Sequence, residues 1–166
     1  LSAHVRRLDN GVFVDVLSFP LNYTRGAVYE ACPGLGGWFA WLPMLLPPQC
    51  GIGSIVWPQP MLSSVEFDND GSMAIGFIDR FGHQSGVANL GLSGATLFEG
   101  FSGGELLRAT LDGGAWKLEN NGTAGGVTTG GQGNNQGPGG GEFFHEDTFK
   151  VNLITAHNEV TLGGVA

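Results

Sequence analysis

The chain has 166 residues, of which 42% are hydrophobic and 13% charged, with a formal net charge of −8. This length can bury a real core, while seven Lys and Arg in all are too few for the cationic stripe that phosphate binding needs. That balance argues against nucleic acid and against anionic membrane surfaces as partners. No stretch reaches the roughly 18 apolar residues of a membrane helix, and the densest run, Trp38 to Pro48, is broken by proline.

Glycine is the outlier, at 30 residues, where an average chain has roughly 7%. The glycines follow no three-residue period, which excludes collagen, and they separate short apolar runs, the pattern of short strands joined by tight turns. No basic and apolar leader opens the chain, and both ends, Leu1 and Val165–Ala166, read as cut from something longer. Cys32 and Cys50 either stand as two buried thiols or close the Pro33–Gln49 loop as a disulfide, which would imply an oxidising compartment. Their spacing matches no zinc pattern.

In chain order, Asp9-Asn10-Gly11 is a turn signal and Val12 to Leu17 a strand rich in β-branched residues, so that His4 to Leu17 reads as a hairpin. Val65-Glu66-Phe67, the turn Asp68-Asn69-Asp70-Gly71, and Ser72 to Asp79 form a second hairpin. Glu105 to Leu111, Asp112-Gly113-Gly114, and Ala115 to Glu119 form a third, and Glu159 to Leu162 reads as a last strand. No window carries a capped helical stripe.

The first and third hairpins resemble each other: a strand with an arginine, an Asp-x-Gly turn, then a strand with an aromatic. That repeat suits an architecture whose blades each end in the same outer hairpin. On this reading His4 to Leu17 closes one blade. Residues 62–79 and 104–120 are the inner and outer hairpins of the next, and 158–166 begin a third. Long connections remain at Pro20–Pro60, Phe81–Gly94 and Asn121–Gly141, the last so rich in glycine that it reads as structureless. The expected fold class is all-β: propeller-like antiparallel sheets, one near-complete blade with parts of its neighbours.

Several segments together carry a family likeness: Phe19 to Gly26, Phe67 to Met73, Phe77 to Gln84, Leu118 to Thr123 and Gly137 to Glu142. They resemble a repeat region of large bacterial cell-surface proteins that also carry SdrD B-like and DUF11-like modules. The resemblance runs from about residue 12 onward. It implies a surface-exposed, propeller-like adhesive or structural segment, and offers no catalytic residues to carry over.

Asp68-Asn69-Asp70-Gly71-Ser72, with Asp79 across the hairpin and Glu142 brought in by folding, offers carboxylates suited to Ca²⁺. The full EF-hand spacing is absent, and an ordinary turn whose Asp and Asn bond their own backbone accounts for the same residues. Asp79 and His83 are an acid–base pair on paper, although Asp79 and Arg80 pinning a loop is the simpler reading. Glu142, His145, Glu146, Asp147, His157 and Glu159 crowd one stretch, without His-x-x-x-His or His-Glu-x-x-His. Gly-x-Ser-x-Gly and the phosphate-binding glycine patterns are missing. Asn22-Tyr23-Thr24 and Asn121-Gly122-Thr123 match the glycosylation sequon.

Trp38 and Trp41 flank prolines, where they either stack on sugars or a partner, or fill the core. The expectation is therefore a non-enzymatic, extracellular structural or adhesive module, calcium-stabilised and self-assembling, whose partners are copies of itself or neighbouring segments of a longer chain. Two alternatives stand beside it. One is a calcium-dependent, lactonase-like propeller hydrolase using Asp68, Asp70, Asp79 and Glu142; the other is a glycan-binding module using Trp38 and Trp41.

Overall fold

A computed structural model describes residues 1–41, 50, 53–90, 97–158 and 161. The expected strand Glu159–Leu162, apart from Thr161, and most of the third blade assigned to 158–166 lie outside the described residues.

Strands β1 (Ser2–Asp9) and β2 (Val12–Pro20) pair antiparallel about Asn10-Gly11. Both loop residues have positive φ, 49° and 83°, the geometry of a two-residue turn that matches strand twist and that Asn-Gly adopts readily. The connection that follows contains a 3-10 turn at Pro33–Leu35 and the short strand β3 (Ser54–Ile55). Next come β4 (Pro60–Phe67) and β5 (Met73–Asp79), joined by the turn read from the sequence.

A short helix, α1 (Arg80–Ser85), leaves β5 directly, because the Asp79 carboxylate caps it by accepting from the Phe81 amide. It occupies a stretch read as plain loop; under two turns long, it has no room for a periodic stripe. After β6 (Asn89–Leu90) and β7 (Leu97–Gly100) come β8 (Glu105–Asp112) and β9 (Ala115–Leu118). These last two close over Gly113 and Gly114 at φ 58° and 84°, so the first and third hairpins share one turn geometry.

The main sheet has the order β4-β5-β8-β9, an antiparallel four-stranded meander built from the two segments expected to form it. No closed barrel or ring is formed by the described strands. One face of the sheet is apolar at alternate positions, as a half-buried strand requires. Met73, Ile75 and Phe77 of β5 lie beside Leu107 and Ala109 of β8, and Ala3, Val5, Leu17 and Phe19 of the β1–β2 hairpin pack onto them. Phe19 meets Phe77 edge to face at 6.2 Å. Each such side chain contributes about 1.5–3 kcal/mol when taken fully out of water. A smaller cluster gathers Val28, Val56 and Cys32, the last bonded to Cys50.

The stretch 121–141 is ordered, against expectation. It holds the hairpin β10 (Thr123–Ala124) and β11 (Val127–Thr128), then a 3-10 turn at Pro138–Gly140. The Asn121 Oδ1 accepts from the Gly133 amide at 2.8 Å, and the Gly137 amide donates to the Thr24 carbonyl. Glycine is required at 131 for room: a Cβ there would stand 2.2 Å from the Glu142 carbonyl oxygen. Composition marks such a segment as turn-rich; besides local turn bonds, the long-range bonds Gly133–Asn121 and Gly137–Thr24 help to fix it.

A last hairpin, β12 (Phe149–Val151) and β13 (Ile154–His157), turns on Asn152 and Leu153. It carries no glycine, which is why the sequence does not announce it. Its second strand is held by the Glu30 amide on the Ala156 carbonyl and the Asn158 amide on the Ala27 carbonyl. Among the described residues no helix is long and apolar enough to cross a membrane.

Candidate functional site

The carboxylates picked out for calcium fall in three places. Asp68 and Asp70 sit at the exposed β4–β5 turn, where Arg108 bridges them at 3.5 and 2.5 Å. Their local bonds are those of an ordinary Asx turn, with the Ser72 amide donating to Asp70 and the Asn69 amide to Asp68. Asp79 is wholly buried and accepts from the amides of Gln59 and Phe81 at 2.9 Å, and of Gly103 at 3.4 Å. Burial raises its carboxyl above the usual range, while those amides pull it back. It is a helix cap and a loop pin, and His83 beside it is exposed. Glu142 belongs to a third place. One ion held jointly by Asp68, Asp70, Asp79 and Glu142, the basis of the hydrolase alternative, is not what this fold builds.

Glu142 lies in a buried acidic cluster where the start of β8, the end of β9 and the segment after the glycine-rich stretch meet. Glu105 opens β8 opposite Phe77, and the sheet turns its side chain inward. There the Arg25 guanidinium donates Nε to its Oε2 at 2.9 Å, with both side chains essentially sealed from solvent. Arg25 also donates to the carbonyls of Gly36 at 2.9 Å, Gly103 at 3.2 Å, and Gly104. Its guanidinium lies 3.8 Å from the centroid of the Trp38 ring. A buried ion pair survives only when its remaining donors are met in this way.

Glu119 directly follows β9 and is 2% exposed. Its Oε2 accepts from the Phe143 amide at 3.1 Å, whereas Oε1 has no hydrogen-bond partner among the described residues. Glu142, also 2% exposed, accepts from the Asn134 side-chain amide at 2.7 Å. Desolvation, reinforced by the charges of Glu105 and Glu142, pushes Glu119 up to about 9. Glu105 moves upward too, because burial outweighs the attraction of Arg25, and Glu142 and Asp147 repel its charge. Glu105, Glu119, Glu142 and Asp147 thus form one group of carboxylates that feel one another, with Arg25 at its edge.

The aromatic pair separates. Trp38 is core: it is buried, packs on Phe77 and donates from Nε1 to the Tyr23 hydroxyl at 3.4 Å, so it offers no face to a sugar. Trp41 is 53% exposed, with the Arg80 guanidinium 4.7 Å from its ring centroid. It borders an open cleft of about 380 Å³ lined by Leu1, Leu21, Leu62 and Phe77. Cys32 and Cys50 form a disulfide with Cα atoms 5.6 Å apart, the pairing rather than the two free thiols. Of the two sequons, Asn22 is exposed, and Asn121 spends its oxygen on Gly133.

Three residues of the acidic cluster escaped the sequence reading: Arg25, Glu105 and Glu119. A signal existed only for Glu105 and Glu119, as carboxylates at strand ends where alternation sets them inward; Arg25 lies 80 residues from its partner.

No family model matches the chain, and no solved structure matches it. Two curated proteins of Dictyostelium discoideum are similar to it. Colossin-B is 29% identical over 177 aligned residues, covering 93% of this chain and 4% of that protein. Colossin-A is 30% identical over 149 residues, covering 86% of this chain and 1% of that protein. The chain thus spans a few per cent of the length of the curated relatives it matches.

Proposed function

We propose that this chain is a structural or adhesive β-module of an extracellular or cell-surface protein, one blade-like unit that packs against neighbouring segments or further copies of itself. The observation that carries this reading is where the apolar residues of the outer hairpins point. Leu8 and Phe13 pair across the β1–β2 hairpin and are 58% and 68% exposed, while Ala3, Val5, Leu17 and Phe19 of the same strands fill the core. Leu153 and Ile154 at the tip of the last hairpin are exposed in the same manner. Apolar groups presented on short strands are what neighbouring units of a stacked β assembly cover. The four-stranded meander has the strand order of a propeller blade. The disulfide favours an oxidising compartment. The resemblance to bacterial surface repeats points the same way.

Sedimentation of the whole chain over a wide concentration range tests the proposal. Reversible association should appear, and weaken at least tenfold in the double variant Leu8→Lys/Phe13→Lys. A chain that stays monomeric at every concentration, with these side chains intact, would count against packing between copies.

A second reading has its own observation. The exposed Trp41 ring beside Arg80, at the rim of an apolar cleft, is a stacking platform for a sugar face. A glycan array comparing the chain with Trp41→Ala decides it, since binding that survives the substitution would refute it.

A further inference from the structure

We propose that Asn22 is an acceptor site for an N-linked glycan, and that the fold closes Asn121, in the second matching tripeptide, to the same modification. The inference rests on the extracellular reading above, because only an exported chain meets the sugar donor.

Asn22-Tyr23-Thr24 and Asn121-Gly122-Thr123 both satisfy Asn-x-Ser/Thr with x other than proline. A three-residue pattern is common by chance, so the surroundings decide. Around Asn22 exposure alternates: Leu21 and Arg25 are buried and Tyr23 half-buried, while Asn22 and Thr24 are exposed. The inward residues are each held. Leu21 belongs to the main core, the Tyr23 hydroxyl accepts from Trp38, and Arg25 pairs with Glu105. The chain is thus anchored on its inner side and presents the Asn22 carboxamide and the Thr24 hydroxyl to solvent. Neither side chain makes a hydrogen bond to a described residue.

Asn121 has the opposite setting. Its backbone amide donates to the Pro138 carbonyl at 2.7 Å, and its Oδ1 accepts from the Gly133 amide at 2.8 Å. A Cβ at Gly141 would stand 2.7 Å from that same oxygen, so main chain presses on the carboxamide from a second side. The Thr123 hydroxyl is bonded to that of Thr128 at 2.9 Å. A sugar on this carboxamide would have to part the segments that it joins.

The donor is an oligosaccharide carried on a lipid diphosphate. The Asn22 Nδ2 attacks its anomeric carbon, and the new N–C bond forms as the C–O bond to the diphosphate breaks. The diphosphate leaves with the electron pair, the nitrogen gives up one proton, and nothing is oxidised or reduced. The Cys32–Cys50 disulfide supports passage through an oxidising secretory lumen. The position also suits a stacked module. Strand β2 runs for 9 residues, Val12–Pro20, at about 3.3 Å each, so Asn22 lies at the opposite end of the first hairpin from Leu8 and Phe13. A bulky, hydrated glycan at that end leaves the apolar tip open to a neighbouring unit.

The chain secreted from a eukaryotic cell line behind a signal peptide tests the site, read by glycopeptide mass spectrometry on released protein or on protein retained in the secretory pathway. Asn22 should carry a glycan that peptide-N-glycosidase removes, with occupancy at least tenfold above that of Asn121. Asn22→Gln and, independently, Thr24→Ala should abolish it, whereas Thr24→Ser and Asn121→Gln should keep it. Asn22 and Thr24 are exposed, so these variants leave the core intact, and closure of the disulfide checks that each has folded. An unmodified Asn22 in a chain whose disulfide is closed overturns the proposal, and so does occupancy of Asn121 within tenfold of that at Asn22. Either result refutes the site alone, because the module reading is decided separately by sedimentation.

Discussion

The molecule is ordered in two different ways. Around the main sheet, order comes from area: alternate residues of β5 and β8 bury Met73, Ile75, Phe77 and Leu107 against the first hairpin. Across 121–147 there is little apolar area to bury. That region is held by backbone amides, Asn side chains and glycines that let stretches of main chain touch, all wrapped around carboxylates. The first kind of order tolerates any well-shaped apolar set, because packing is collective. The second depends on individual hydrogen bonds and on room that a single methyl group removes.

Substitutions can break this contrast at either end. Phe77→Ala should have the largest effect, costing about 3–5 kcal/mol and unfolding both regions together; chemical denaturation reads it. Loss of the disulfide in Cys32→Ser/Cys50→Ser should cost about 3 kcal/mol, measured in the same way. Gly131→Ala should cost about 1–3 kcal/mol, with a different signature. Hydrogen exchange should quicken across 121–145 while the amides of β5 and β8 stay protected.

The gentlest test uses pH. Glu119 holds its proton in the folded chain up to about 9, against an ordinary value of 4.5. The folded state therefore binds more protons than the unfolded one across that window. The associated stability is complete below about 4.5 and is lost as pH rises toward about 9. Glu105 shifts in the same direction. The melting temperature should fall from about pH 5 to about pH 9, and Glu119→Gln should flatten the slope. An unchanged slope would remove Glu119 from the account.

The same contrast explains what could be read from the residues alone. Hairpins closed by Asn10-Gly11 and Gly113-Gly114 announce themselves, because positive φ at both turn positions selects those residues. The hairpin closed by Asn152-Leu153 uses the same conformation, with a leucine at φ 67°, and so leaves no trace in composition. Helix α1 depends on one cap, Asp79, which the sequence shows equally well as a loop pin or a ligand. The acidic cluster joins residues from four distant segments, and only folding reveals that Glu119, at the end of an otherwise ordinary strand, feels the charge of Glu142. The order in 121–141 was hidden by its own glycines, which signal freedom when unsupported and close contact when packed.

The tips of the first and third hairpins have a practical consequence. A Cβ placed at Gly11, Gly113 or Gly114 would meet nothing within 4 Å, so these loops end in open solvent. Short peptides spliced in there, an epitope or a protease site, should be displayed without disturbing the interior. The two loops then become independent handles for mapping which end of the module is covered once it joins its neighbours.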